Sequence, residues 1–301
     1  MLYDQAQLLT VYAEAIQLAQ HSSSSKVKTF VPTFERAIEG AVDYLARDMT
    51  SPQGAFYSSE DADSPLRAGD AHGVEGAFYV WVHDEIKTVL SAETIGCKTV
   101  LDLYGITPEG NIPPDSDPHG ELRGKNILHR SKSLEDVAAK LNITPELAHS
   151  ELASAHAKLF EVRSKRPRPP LDDKIVTAWN GLAISGLIRA SHVMHGKKAA
   201  DKALKMAERA IGAFLSQLYD ENNGTLLRSW REGPGPEGTS LDYAATVQAL
   251  LDWFEATQDE KYLRLALELQ DKQDELFWVS HYSVAFEVFG FFTDARSTLT
   301  G

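Results

Sequence analysis

Glu60, Asp61 and Asp63 place three acids within four residues, between the aromatic runs Phe56-Tyr57 and Phe78-Tyr79-Val80-Trp81. Carboxylates set between aromatic platforms suit sugar chemistry. Rings stack on the CH-rich faces of sugars, while paired acids serve as proton donor and as base or nucleophile. The same residues also fit a solvated acidic turn. A second cluster, Asp172-Asp173-Lys174, leads into Thr177-Ala178-Trp179-Asn180-Gly181. A carboxylate pair beside an ammonium at a helix mouth can bind hydroxyls or share a proton; acids there also complement the helix dipole. Asp4 and Asp242 have the same ambiguity, with capping the stronger reading, and each neighbours a tyrosine (Tyr3 and Tyr243). The expected roles are Glu60 or Asp61 as general acid and Asp172 or Asp173 as base, with Asp63 in the same acidic set. Tyr57, Tyr79, Trp81 and Trp179 are expected as platforms, and Lys174, Asn180, Asp242 and Tyr243 as further binding groups.

Other chemistries fail on their residues. Gly233-Pro234-Gly235-Pro236-Glu237-Gly238 matches a dinucleotide fingerprint by letters only, because its prolines remove amide donors that a pyrophosphate needs. Asp61-Ala62-Asp63 and Asp220-Glu221-Asn222 lack the glycine at the sixth position and the glutamate at the twelfth of a calcium loop. The ten histidines include no H-x-x-x-H pair, so neither a metal nor a cofactor is expected. The single cysteine, Cys97, excludes an internal disulfide and reads as a small buried hydrophobe.

Helices must position these groups. Leu2, Ala6, Leu9, Ala13, Ile16 and Ala19 recur at spacings of three and four, which predicts one buried helix face. A second helix is predicted from about 33 to 47. The runs Ala55-Phe56-Tyr57 and Ala77 to Trp81 read as short strands, taken together as a hairpin flanking the 59–73 loop. Further helices are predicted at 84–90, 94–104 and from Ser133, and Thr144-Pro145-Glu146 starts one that runs to about 162. Beyond the extended Arg166 to Pro170 connection, helices follow from Trp179, Ala199, Thr239 and Glu260. Tyr3-Asp4, Trp179-Asn180 and Leu241-Asp242 each open an Ala/Leu-rich helix, which turns into a second helix and then an extended piece. This is a repeat of helical hairpins, about four in all, whose helix-start loops gather at one end.

Bulk properties narrow the function. With 301 residues and 43% hydrophobic composition the chain can bury a substantial core. A net charge of −13 disfavours a nucleic-acid partner. No signal-peptide pattern or membrane-spanning run is present, so no membrane association and a cytoplasmic location are expected.

Met1-Leu2-Tyr3-Asp4-Gln5, Phe56 to Ser64, Glu75 to Trp81, Leu171 to Lys174 through Gly181, and Leu241-Asp242-Tyr243-Ala244 together resemble the spermatogenesis-associated protein 20 family, also described as DUF255 or YyaL. The resemblance covers roughly residues 1–278. It implies an all-α fold, a partial α/α toroid of the six-hairpin glycosidase type with short β-hairpins in its loops, and 279–301 as a divergent tail. In the family a thioredoxin-like domain precedes the toroid, and it is expected to be absent here. Relatives of the toroid include sugar hydrolases and epimerases. One reading is therefore a carbohydrate-active or carbohydrate-binding domain, truncated and inactive in this copy. The other is a non-catalytic ligand- or partner-binding scaffold. Pro170 stands where the family leads one to expect a histidine, which weakens a proton shuttle beside Asp172. A truncated toroid is expected to expose Leu2, Leu9 and Ile16 at one edge and Leu263, Ala266 and Leu267 at the other, and to self-associate through them.

Overall fold

The computed structural model describes residues 1–66, 69–70, 72–117, 120–279 and 291–292, the last two and Val279 by backbone alone. It is mainly helical: α1 (Leu2–His21), α2 (Ser25–Lys28), α3 (Val31–Asp48), α4 (His83–Leu90), α5 (Ile95–Leu103), α6 (Leu134–Leu141), α7 (Pro145–Arg163), α8 (Thr177–Val193), α9 (Lys198–Leu218), α10 (Ser240–Thr257) and α11 (Glu260–Phe277). The chain divides into two compact units, Met1–Ser59 with Leu171–Gly301, and Glu60–Pro170.

The first unit is built from three helical hairpins, α1/α3, α8/α9 and α10/α11, the arrangement of a partial α/α toroid. Helix α8 lies between α1 and α10, and the three run in parallel. Trp179 meets Tyr3 at their starts, Ala178 N–H bonds Asp242, and further along Arg189 reaches both Glu14 and Asp252. Two glycines of α8 permit this closeness. A Cβ at Gly186 would lie 2.6 Å from the Ala6 carbonyl oxygen, and one at Gly181 would lie 2.6 Å from that of Ala245. The buried face of α1 is the predicted one, Leu2, Ala6, Leu9, Ala13, Ile16 and Ala19. It packs with Ile38, Val42 and Leu45 of α3 and Ile184, Leu187 and Ile188 of α8.

That packing corrects the expected edges. Leu2, Leu9 and Ile16 are fully buried, as is Ala266, and Leu263 is half-buried, because the first and third hairpins turn these residues inward on α8 and on their own partners. Along the two edge helices the large apolar side chains left exposed are Leu8, Val11 and Leu18 of α1 and Leu267 of α11.

Each second helix of a hairpin leads into a short antiparallel ladder. Thr50 bridges Phe56 after α3, Tyr219–Asp220 pairs with Thr225–Leu226 after α9, and Trp278–Val279 pairs with Phe291–Phe292 after α11. The two aromatic runs therefore do not form one hairpin. Phe56 pairs with the end of its own helical hairpin, whereas Trp81 bridges Asn126, and residues 76–79 form a turn. Met49 and Thr50, at the end of α3, take up the first run, and Asn126 takes up Trp81 through two backbone bonds of 2.7 and 2.8 Å. The remainder of the predicted tail, 280–290 and 293–301, lies outside the described residues.

In the second unit α4 to α7 enclose Trp81, Ile86, Val100, Leu103, Val137 and Leu152. Ser133 and Thr144 cap α6 and α7 by accepting N–H bonds from Asp136 and Leu147. Asp63–Pro65 and Gly73–Glu75 pair antiparallel. Cys97 is buried in α5, and that burial pushes its thiol up. Within this core Tyr104 Oη lies 2.8 Å from His156 Nε2. Burial, helped by the Arg130 charge, pushes the His156 imidazole down from its ordinary value of 6.5. The unfolded chain then takes up this proton more readily than the folded one, so stability is lost as pH falls from about 6.5 toward the folded value. The protection factors of the α5 and α7 amides, which divide out the intrinsic slowing of exchange at lower pH, should fall over that interval, and His156→Gln should flatten the dependence even if it lowers stability throughout.

Among the described residues no helix is long and apolar enough to cross a membrane. Among them, too, no group of three or more His, Cys, Asp or Glu side chains is placed to hold a metal ion.

Candidate functional site

The two acid clusters belong to different units, and each has its own local structure. In the first unit Ile175–Val176 pairs with Ser229–Trp230, and Thr177 N–H donates to the Arg228 carbonyl at 3.0 Å. This fixes the start of α8. Asn180, one turn on, is fully buried: its Oδ1 accepts from Phe56 N–H at 2.8 Å, and its Nδ2 donates to the carbonyls of Phe56 and Val176 at 2.9 and 3.0 Å. Asp242 is also fully buried. Its Oδ2 accepts from Thr239 N–H (2.7 Å), Thr239 Oγ1 (2.8 Å) and Arg228 Nη1 (3.1 Å), and its Oδ1 accepts from Ala178 N–H (3.0 Å). Tyr243 packs its ring on Phe277 and accepts the Leu226 N–H through its hydroxyl at 3.0 Å. These three residues have no surface for a ligand. They secure helix starts and the joints between hairpins.

The remaining members stay accessible and come together. Leu2 N–H bonds the Ser58 carbonyl at 2.8 Å and Ser58 N–H bonds the Asp172 carbonyl at 3.2 Å, tying the start of α1 to the Asp172 segment. Tyr3 and Trp179, both half-buried, are 5.0 Å apart between ring centroids and tilted by 58°. Tyr57 is half-buried on the same hairpin core. Asp172 Oδ2 is 3.6 Å from Lys174 Nζ, and Asp173 Oδ1 is 2.7 Å from Arg231 Nε. Burial raises the Asp172 pKa, but bonds from Ser58 and the Lys174 amide, with the Lys174 and Arg231 charges, outweigh it and hold the carboxyl below its usual range. Asp172 therefore stays ionised at neutral pH and suits hydrogen-bond acceptance better than proton donation.

In the second unit Glu60 is bound by Arg168 at 2.5 Å. Asp61 and Asp63 are exposed, and Asp61 Oδ1 accepts the Asp63 N–H at 3.2 Å, the geometry of an acidic turn. Trp81 is buried beneath the Arg166 guanidinium, 4.1 Å from its ring centroid. Tyr79 is partly exposed, with Arg163 at 5.2 Å over its ring.

A further polar set on the inner helices escapes the motif reading. Arg189 Nη1 contacts Glu14 Oε1 at 3.0 Å, and Nη2 lies 3.5 Å from Asp252 Oδ1. Asp252 Oδ1 also accepts from Gln248 at 3.0 Å. The signal is present in the sequence as polar residues at spacings of three and four on otherwise Ala/Leu-rich helices: Gln7, Thr10, Glu14 and Gln17 on α1, Ser185, Arg189 and His192 on α8, and Gln248, Asp252 and Glu255 on α10.

Comparison with known proteins bears on identity. No family model matches the chain. Human spermatogenesis-associated protein 20 is 38% identical over 296 residues, which is 93% of this chain and 36% of the human protein. The rat protein of the same name is 36% identical over a similar extent, and an uncharacterized protein of Caenorhabditis elegans is 35% identical over 92% of this chain and 38% of its own length. Among solved structures a GH76 alpha-mannanase of Bacteroides thetaiotaomicron is similar at 12% identity and a TM-score of 0.33, over 90% of this chain and 60% of the mannanase. The chain is therefore a relative of spermatogenesis-associated protein 20, matched over nearly all of its own length and spanning about 36% of the human protein.

Proposed function

We propose that the three-hairpin unit is a carbohydrate-binding module whose site lies at the starts of α1 and α8. The observation that carries this is the tilted Tyr3–Trp179 pair beside the Asp172–Lys174 and Asp173–Arg231 ion pairs. Aromatic faces cover the CH surface of a sugar ring. Carboxylate and cation pairs accept from and donate to its hydroxyls without leaving a net charge to desolvate.

Binding is favoured over hydrolysis. A glycosidase needs a protonated acid and a second carboxylate roughly 5 to 9 Å away. In this unit Asp172 is held ionised and Asp173 is engaged by Arg231. Calorimetric titration of the whole chain with neutral gluco-, manno- and galacto-oligosaccharides tests the reading. Saturable binding without release of new reducing ends is expected, weakened at least about tenfold by Trp179→Ala, or about 1.4 kcal/mol. Reducing ends released by the wild-type chain and lost in Asp173→Asn would establish a hydrolase instead. No heat with any sugar would remove the carbohydrate reading.

A further inference from the structure

The inner faces of α1, α8 and α10 carry two adjoining cavities of about 220 and 280 Å³ that share Arg189 as a lining residue. The smaller is bounded by Glu14, Arg189, His192, Asp252 and Glu255, and the larger by Gln7, Thr10, Ser185, Arg189 and Gln248. These residues lie beyond the first turns that form the proposed sugar site, and the inference does not depend on that site.

Two features separate this groove from a solvated charged face. The Asp252 side chain is 9% exposed, and its Oδ2 is buried with no donor among the described residues. Ser185 is 5% exposed and its Oγ is likewise buried without a partner. A buried carboxylate oxygen without a donor is destabilising until something supplies one. The charges decide which donor fits. Three carboxylates, Glu14, Asp252 and Glu255, line the smaller cavity with one guanidinium, Arg189, which is already shared between Glu14 and Asp252. A neutral hydroxyl offers one donor and gains nothing from the excess negative charge, and an anion is repelled. An ammonium brings several donors and is attracted.

We propose that this groove is a binding site for an organic ammonium, seated against Asp252 and Glu255 with Ser185 and Gln248 accepting or donating to its polar substituents. Selectivity is read with three probes on one four-carbon skeleton, 1,4-diaminobutane, 1,4-butanediol and succinate, titrated calorimetrically into the whole chain at near-physiological salt. The diamine should bind saturably and at least about tenfold more tightly than the diol, with no heat from succinate. Asp252→Asn should weaken the diamine at least about tenfold. The exposed Glu255→Gln, which cannot disturb the core, should weaken it severalfold, while Asp201→Asn on α9 should not. Equal binding of diamine and diol, diamine affinity unchanged in Glu255→Gln, or weakening by Asp201→Asn to the same degree would each overturn the proposal. The last two would identify general attraction to a chain of net charge −13. Absence of diamine binding would also overturn it.

Discussion

Gly186→Ala will destabilise the three-hairpin unit, although alanine is the better helix former. Exchange of glycine for alanine inside a helix gains about 1 kcal/mol from propensity alone. At Gly186 the new methyl would lie 2.6 Å from the Ala6 carbonyl oxygen and 3.1 Å from Leu9 Cβ. The first contact is with backbone and cannot be relieved by a rotamer, so α1 and α8 must separate. Overpacking of this kind costs roughly 1–3 kcal/mol, occasionally more, and a β-branched Val would cost more still. The expected net loss is about 1–2 kcal/mol for Ala, the overpacking cost less the propensity gain. Gly212 is the control. It lies in α9, is exposed, and a Cβ there meets nothing within 4 Å, so Gly212→Ala should stabilise by about 0.5–1 kcal/mol. Urea unfolding of the two variants should give shifts of opposite sign. A stabilised Gly186→Ala would mean that α1 and α8 do not approach as described.

Asp242→Ala should have the largest effect of any acid-to-alanine change in this unit. It removes an acceptor of four hydrogen bonds, leaving the amides of Ala178 and Thr239 and the guanidinium of Arg228 without this partner. Arg228 is 43% exposed and can rehydrate, so the cost comes from the amides left without an acceptor, about 1–3 kcal/mol for each that stays buried. Asp242→Asn should recover little, because an amide supplies only one acceptor oxygen while donors converge on both carboxylate oxygens. Asp172, half-exposed and paired with Lys174 at 3.6 Å, should lose less than about 1 kcal/mol on change to Asn. A comparable loss at the two positions, measured by chemical denaturation, would contradict the assignment of Asp242 to structure and Asp172 to the accessible site.

The buried face of α1 and the caps at Ser133 and Thr144 were legible in the sequence, because periodicity and local capping are short-range properties. The orientation of polar residues at helix starts was not. Trp179 and Asn180 are consecutive, yet one reaches the accessible surface and the other threads between Phe56 and Val176, a distinction made by the backbone of a residue 124 positions away in sequence. The aromatic runs around Glu60 had the right composition for a hairpin, but the choice of pairing partner is tertiary. The stripe containing Glu14, Arg189 and Asp252 was visible as spacing on three separate helices. Its meaning appears only when α8 is placed between the other two, because each helix alone reads as an ordinary solvated face.

The sharpest test of the binding-site assignment compares Trp179→Ala with Glu60→Gln in one oligosaccharide titration of the whole chain. Trp179→Ala should lose the binding, while Glu60→Gln, altering an acid already bound by Arg168 in the other unit, should keep wild-type affinity. Loss of binding in Glu60→Gln with full affinity in Trp179→Ala would contradict the assignment.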